Sequence, residues 1–442
     1  MQSQPPTHSL DLEPQTAQQF ATTRPLRVGV LVDLPFGPHS GGHVKCWTRL
    51  AEAAGRRAGD LDLTVFFTGH EPCEIEIAKH VRYEIVPPVF GTAHVGFLSH
   101  VPDHTDLAPW HPRIAAALRG FDVIHTTDGY FTYARTASRV ARRRRVPLVN
   151  SVHTNTPEYA RIFTAQTIEK LFGQGLVARA LTSGLRVPEF VERTMLRQLD
   201  RYHRACDIVL VSRPSQLEAV GNVIPGRVSL LRRGIEHQLF RPANRNRGWL
   251  ASELGIAPDR TVVLYVGRLN HGKNVGLVAE AVASLVERGL PIHLLCAGDG
   301  DERAAILARL GSHASCPGNL EPTKLAAVYA SSDVFAFPSE IEEYANVVLE
   351  ALASGLPVMV SARSSMGRLL IENVTGFTLP GDDADRWAEV ISALAADPVR
   401  RRDMSHAARF YAERRLPSWD DVLASDLLPH WREAVERRRE RS

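Results

Sequence analysis

The sequence is poor in the features that mark special-purpose proteins. Cysteines are few and odd in number, five in 442 residues, at positions 46, 73, 206, 296 and 316. No CxxC pair or Cys/His spacing suited to zinc occurs, which excludes a disulfide framework or a structural zinc site as the organising principle. A reducing cytosol is the expected compartment. No apolar run approaches the ~18 residues of a membrane span. Charge nearly cancels, with 52 Lys and Arg against 49 Asp and Glu, and a net +3 is too small to point to nucleic acid as a partner. Residues 1–24 are polar, rich in Gln, Thr and Pro, and lack a signal-peptide core, so a disordered tail is expected there. Fixed-period repeats, a GxSxG elbow, an HExxH pair and a spaced Cys/His catalytic signature are all missing.

What remains is an ordinary globular composition, 44% hydrophobic and 23% charged, over a length that suits two or three domains. Short apolar runs alternate with helix-like stretches. Strands are expected at 26–32, 63–68, 83–86, 121–125, 147–153, 207–212 and 228–231, then at 261–267, 292–298, 333–338, 357–361 and 376–379. Several, such as Val262-Val263-Leu264-Tyr265-Val266, are apolar throughout, as in parallel strands covered on both faces. Helices fall between them, for example 275–288 and 346–354, the second closed by Gly355. Two series of β/α units predict an α/β protein with two Rossmann-like, doubly wound parallel sheets. Turn signals at Ile224-Pro225-Gly226 and Arg241-Pro242-Ala243-Asn244 place the boundary between them. The expected division is a tail over 1–24, an N-terminal domain over 25–235, a C-terminal domain over 236–417, and helices over 418–442 that return to the N-terminal domain.

Two constellations carry chemistry. The first is Gly267-Arg268-Leu269-Asn270-His271-Gly272-Lys273-Asn274, which follows an apolar strand and opens a helix. Gly267 permits a sharp turn, while Arg268 and Lys273 bring two cations to a helix N-terminus that already favours anions. A diphosphate suits it. The octet nearly matches a P-loop, but Asn274 stands where that motif needs a magnesium-binding hydroxyl, which argues against an NTPase. The second runs from Ser339 to Ala351. It sets Glu342 in a loop and Glu350 in the second turn of a helix that starts near Asn346. Two carboxylates so spaced can accept hydrogen bonds from the hydroxyls at two ends of one extended ligand, with the backbone N–H groups of Asn346 and Val347 between them. The DxD triplets at 60–62, 299–301 and 383–385 are expected to be structural, because two cations at a helix mouth can supply the electrostatics of a metal. No metal is expected.

Asn346-Val347-Val348-Leu349-Glu350-Ala351 through Pro357-Val358 resembles the signature of retaining glycosyltransferases of family 4, which have the GT-B architecture of two domains facing a central cleft. The Glu342/Glu350 E-x7-E spacing, Gly267-Arg268-Leu269 with Lys273-Asn274, Gly298-Asp299-Gly300, and Gly234-Ile235 with Phe240 and Pro242 fit the same pattern. The resemblance covers about residues 26–420. It implies transfer of a hexose from a UDP- or GDP-sugar to an acceptor hydroxyl of a lipid or glycan. Arg268 and Lys273 then bind the diphosphate, Glu350 the ribose and Glu342 the transferred sugar. Gly41 and Gly42 approach the phosphates, and His153, at a strand end, lies beside the sugar. Front-face attack assisted by the leaving phosphate is the family-level expectation. His125, also at a strand end, is a candidate for the acceptor side.

Departures are Arg233 for the usual Asn, Glu236 for Asp, and Ala345 for a Gly before Asn346. A sugar-nucleotide epimerase or a phosphorylase could use the same fold. A non-catalytic nucleotide-sugar-binding subunit is the alternative of another class, against which the intact Arg268, Lys273, Glu342 and Glu350 set speaks. The cations at Arg139 and at 142–145 could meet an anionic membrane from the cytoplasmic side, although they also suit a solvated helix end.

Overall fold

The computed structural model describes residues 24–37, 40–57, 59–91, 106–153, 155–173, 175–340 and 345–441. Glu342 lies outside the described residues, as does nearly all of the expected N-terminal tail. The chain forms two α/β domains, each built on its own sheet.

The first sheet comprises β1 (Leu26–Pro35), β2 (Leu61–Thr68), β3 (Cys73–Ala78), β4 (Val81–Val86), β5 (Val123–Thr126), β6 (Leu148–Val152), β7 (Ile208–Val211) and β8 (Val228–Leu230). Its order is β3-β4-β2-β1-β5-β6-β7-β8. All neighbours are parallel except β3, which runs antiparallel to β4. The second sheet comprises β9 (Thr261–Val266), β10 (Ile292–Ala297), β11 (Ala314–Gly318), β12 (Val334–Phe337), β13 (Val358–Ser361) and β14 (Gly376–Leu379). It is wholly parallel, in the order β11-β10-β9-β12-β13-β14.

Two strands, β3 and β11, were not expected from the sequence. Both are edge strands. β3 (Cys-Glu-Ile-Glu-Ile-Ala) alternates but has no buried residue, and β11 carries Pro317 and Gly318, which a central strand would not tolerate. The strands with continuous burial, such as β9 and β10, are all among those the sequence predicts.

The strand order reverses between β1 and β5 in the first sheet and between β9 and β12 in the second. Crevices at the carboxyl ends of strands at such reversals are where α/β sheets bind ligands. His125 and His153 lie at or just past the ends of β5 and β6, and Gly267 and Ser339 follow β9 and β12.

The chain crosses between the domains twice, side by side. The backbone of Ile235 bonds to Pro417 O at 3.0 Å and bridges to Ser418. Gly234 lies so close to Trp419 that an added Cβ would stand 2.6 Å from its ring. Past the second crossing, helices Trp419–Val422 and Leu428–Glu440 cover one face of the first sheet. Trp419, Val422, Leu427 and Trp431 are buried there with Trp47 and Leu50 of helix Gly42–Gly55.

Candidate active site

The loop after β9 is held rigidly by its own backbone. Gly267 has φ +149°, and its N–H donates to Ala297 O at 3.0 Å. Leu269 N–H donates to Asp299 O at 2.9 Å, so the loops after β9 and β10 continue the sheet ladder beyond the strands. The hydroxyl of the buried Tyr265 donates to Arg268 O at 2.8 Å. Asn270 caps the turn His271–Lys273 by accepting from Lys273 N–H at 3.2 Å. Asn274, left-handed at φ 56°, spends its side-chain N–H on Gly381 O at 2.7 Å. Its amide ties two loops, a task distinct from the magnesium ligation of a P-loop. Arg268 is exposed and Lys273 half-buried at the start of helix Val275–Glu287. Here the backbone places two cations at a helix N-terminus on a loop with little freedom to move.

Gly298 and Gly300, with φ +141° and +159°, have a plain structural reason. A Cβ at Gly298 would stand 1.9 Å from Gly267 O, and one at Gly300 2.2 Å from Leu269 O. Asp299 accepts from Gly300 N–H at 2.9 Å. Asp60 pairs with Arg57 and Arg432, and Asp383 caps helix Ala384–Ala396.

Helix Asn346–Ala353 begins without a side-chain cap, and Asn346 Oδ1 is buried with no hydrogen-bond partner among the described residues. Glu350 sits in its second turn. Burial lifts its carboxyl above the ordinary glutamate value. A hydrogen bond from Tyr329 Oη (2.9 Å to Oε2) and the charges of Lys45 and Arg49 act in the opposite direction. Those two cations belong to helix Gly42–Gly55 of the first domain. Thus the cations felt by Glu350 include two that the sequence analysis did not single out. The signal was present: positions 45 and 49 lie one turn apart on one face of a helix opened by Gly41-Gly42.

Gly41 is the N-cap of that helix, with φ −68°, and an added Cβ at Gly41 or Gly42 meets nothing within 4 Å among the described residues. Packing among the described residues therefore makes no demand for glycine at either position.

His153 is buried at the end of a hydrogen-bond chain whose proton positions follow from chemistry. An indole N–H can only donate. Trp431 Nε1 donates to His125 Nδ1 at 2.9 Å, so the neutral His125 carries its proton on Nε2 and donates to Ser151 Oγ at 2.8 Å. Ser151 then donates to His153 Nε2 at 2.7 Å, and Trp47 Nε1 donates to the same nitrogen at 3.3 Å. With Nε2 accepting twice, the proton of His153 lies on Nδ1, which has no partner among the described residues. The His43 ring stacks on His153 with centroids 4.3 Å apart.

All three imidazoles stay neutral. Burial pulls His43 and His125 down to about 3 and holds His153 well below 6.5, helped for His153 by His43 and Arg233. Both ring nitrogens of His125 are engaged inside the core, so it orders the chain and does not line an acceptor surface. Arg233, which replaces the family Asn, is a buried guanidinium whose field reaches His43, Cys46 and His153.

Long-range proton–nitrogen NMR is expected to show His153 protonated at Nδ1 at pH 7, with any titration well below the ordinary imidazole value. A proton on Nε2, or titration near 6.5, would overturn the assignment. The linkage has a definite sign. Histidines whose folded values lie below 6.5 leave the unfolded chain to bind protons first, so their contribution is intact above pH 6.5 and is lost as pH falls toward 3. Asp33, raised by burial and by Asp128, acts in the opposite sense.

Comparison with known proteins agrees with this architecture. The family model described as glycosyl transferases group 1 matches residues 250–410. A GDP-mannose-dependent alpha-mannosyltransferase of Mycobacterium tuberculosis is 32% identical over 337 residues, 74% of this chain and 77% of its own length. D-inositol 3-phosphate glycosyltransferase 1 of Catenulispora acidiphila is 27% identical over 429 residues, 88% of this chain and 94% of its own. The match to the sulfoquinovosyl transferase SQD2 of Arabidopsis thaliana, 28% identical, covers 69% of this chain and 56% of that protein. Sucrose-phosphate synthase from Thermosynechococcus elongatus superposes with a TM-score of 0.67 at 20% identity, over 93% of this chain and 100% of that one. The fold is GT-B, and the chain is a glycosyltransferase. It belongs to the group 1 glycosyltransferases.

Proposed function

We propose that the protein transfers a hexose from a nucleoside diphosphate sugar to a hydroxyl of a lipid or glycan acceptor, with retention of anomeric configuration. The observation that carries this is Glu350: a half-buried carboxylate held by Tyr329, under the field of Lys45 and Arg49 from the opposite domain. Such a carboxylate suits vicinal ribose hydroxyls.

Arg268 and Lys273 take the diphosphate and stabilise the charge that builds as it leaves. Asn346 and Val347 offer backbone N–H groups at a helix start, and Glu342 takes hydroxyls of the transferred sugar. Gly41 and Gly42 allow the first domain to approach the phosphates. The Nδ1–H of the neutral His153 donates to a sugar oxygen. Attack comes from the face of the departing phosphate, and no step uses a metal. Closure of the two domains limits water and hence donor hydrolysis. A relative named as GDP-mannose-dependent supports a GDP-sugar as donor, and a UDP-sugar is the alternative. We assign the enzyme to the cytoplasm, in contact with an anionic membrane.

A thermal-shift screen against UDP, GDP, ADP and their sugars, with and without magnesium, tests the donor site. One base is expected to raise the melting temperature by about 2–4 °C at saturating ligand. A shift that requires magnesium would defeat the metal-free mechanism, and no shift with any nucleotide would defeat the donor site itself.

A further inference from the structure

Large apolar side chains exposed singly need no explanation, but a cluster of them does. Leu171 and Phe172 end helix Thr156–Phe172, Leu176 and Val177 lie on the short helix Leu176–Arg179, and Leu185 and Phe190 flank the start of helix Val187–Ala205. All six are exposed, Leu176 by 83% and Leu185 by 71%. Exposed cations accompany them at Lys170, Arg179, Arg193 and Arg197. Only two carboxylates, Glu189 and Glu192, fall between residues 170 and 197, and each is paired, with Arg186 at 4.0 Å and Arg161 at 3.5 Å.

We propose that this apolar, cationic tip docks on a lipid bilayer surface of anionic headgroups. Apolar side chains that enter the acyl boundary and cations that meet the headgroups are the two components such binding requires. A second copy of the chain fits less well, because a two-fold interface sets a patch against itself and would bring like charges together. The turn at 142–145 supplies cations without the other component: its helix, Thr132–Arg144, buries Tyr133, Ala134, Ala137 and Ala141. The helix that carries the tip starts three residues beyond His153. Its 17 residues span about 25 Å, so docking sets the candidate site about one helix length from the lipid. This deepens the membrane part of the reading above, and its test needs no transfer activity, so either can fail alone.

The test is co-sedimentation of the full chain with vesicles of phosphatidylglycerol and phosphatidylcholine in equal parts, against phosphatidylcholine alone. Binding to the anionic vesicles is expected. It should drop about tenfold or more in Leu176→Asp/Leu185→Asp and in Arg179→Glu/Arg197→Glu, and stay unchanged in Arg143→Glu. All three variants should melt with the wild type. The proposal is overturned by absent binding, by binding that the tip variants do not weaken, or by loss through Arg143→Glu alone. Unfolding of the aspartate variant, which would make the tip structural, overturns it as well. So does a dimer in sedimentation velocity that the aspartate variant dissociates without any vesicle binding.

Discussion

Lys273→Ala is expected to lower kcat/KM by about 10²–10³-fold, as removal of a single group aimed at developing transition-state charge does elsewhere. Lys273 sits half-buried in the turn His271–Lys273, whose shape is fixed by Asn270 and by Asn274. Those contacts are made by backbone and by neighbouring amides, so truncating the lysine leaves the loop standing. Loss of a half-exposed cation should cost no more than about 1 kcal/mol of stability. The outcome to look for is therefore a split between activity and melting temperature, with loss of inhibition by the free nucleoside diphosphate. Glu350→Ala should also lower kcat/KM strongly in a folded protein. Its defect should include weakened binding of the nucleoside, since ribose contacts are the same before and during the reaction. Near-normal turnover in both variants would dismantle the assignment of the donor site.

Gly298→Ala should unfold or misassemble the second domain's ligand edge, at a cost of about 3–5 kcal/mol or more. The added Cβ would stand 1.9 Å from Gly267 O, a backbone atom that cannot swing aside, and the residue would have to keep φ +141°. Relief requires the loops after β9 and β10 to part. That breaks the Gly267–Ala297 and Leu269–Asp299 hydrogen bonds and releases Arg268. Gly272→Ala provides the control in the same loop: its nearest contact would be Asn270 Oδ1 at 3.7 Å, and its φ is not positive. It should melt within about 0.5 kcal/mol of wild type. Equal stability of the two variants, measured by denaturant unfolding, would show that the close crossing does not exist.

How legible the molecule was depends on where its information lies. β9 and β10 were plain because burial on both faces writes a continuous apolar run. β3 and β11, at sheet edges, carry no such run and stayed hidden. Gly298 and Gly300 were legible as glycines, but the carbonyls they avoid belong to a loop some thirty residues earlier. Asn274 was legible as the wrong residue for a P-loop, while its partner Gly381 was not. Lys45 and Arg49 had the right spacing but point to nothing until the other domain supplies Glu350. The protonation of His153 could not be read at all, since it depends on Trp431, whose bond to His125 spans 306 positions. Local chemistry is written in the sequence; contacts between distant segments are written only in the fold.

The same indole has a consequence for biosynthesis. The face of the first sheet that holds Trp47 is finished by Trp419, Val422, Leu427 and Trp431, which leave the ribosome after the whole second domain. Until then the emerging N-terminal half has bare apolar surface and a His125 without its donor. A fragment ending before residue 418 is therefore expected to depend on chaperones or to aggregate.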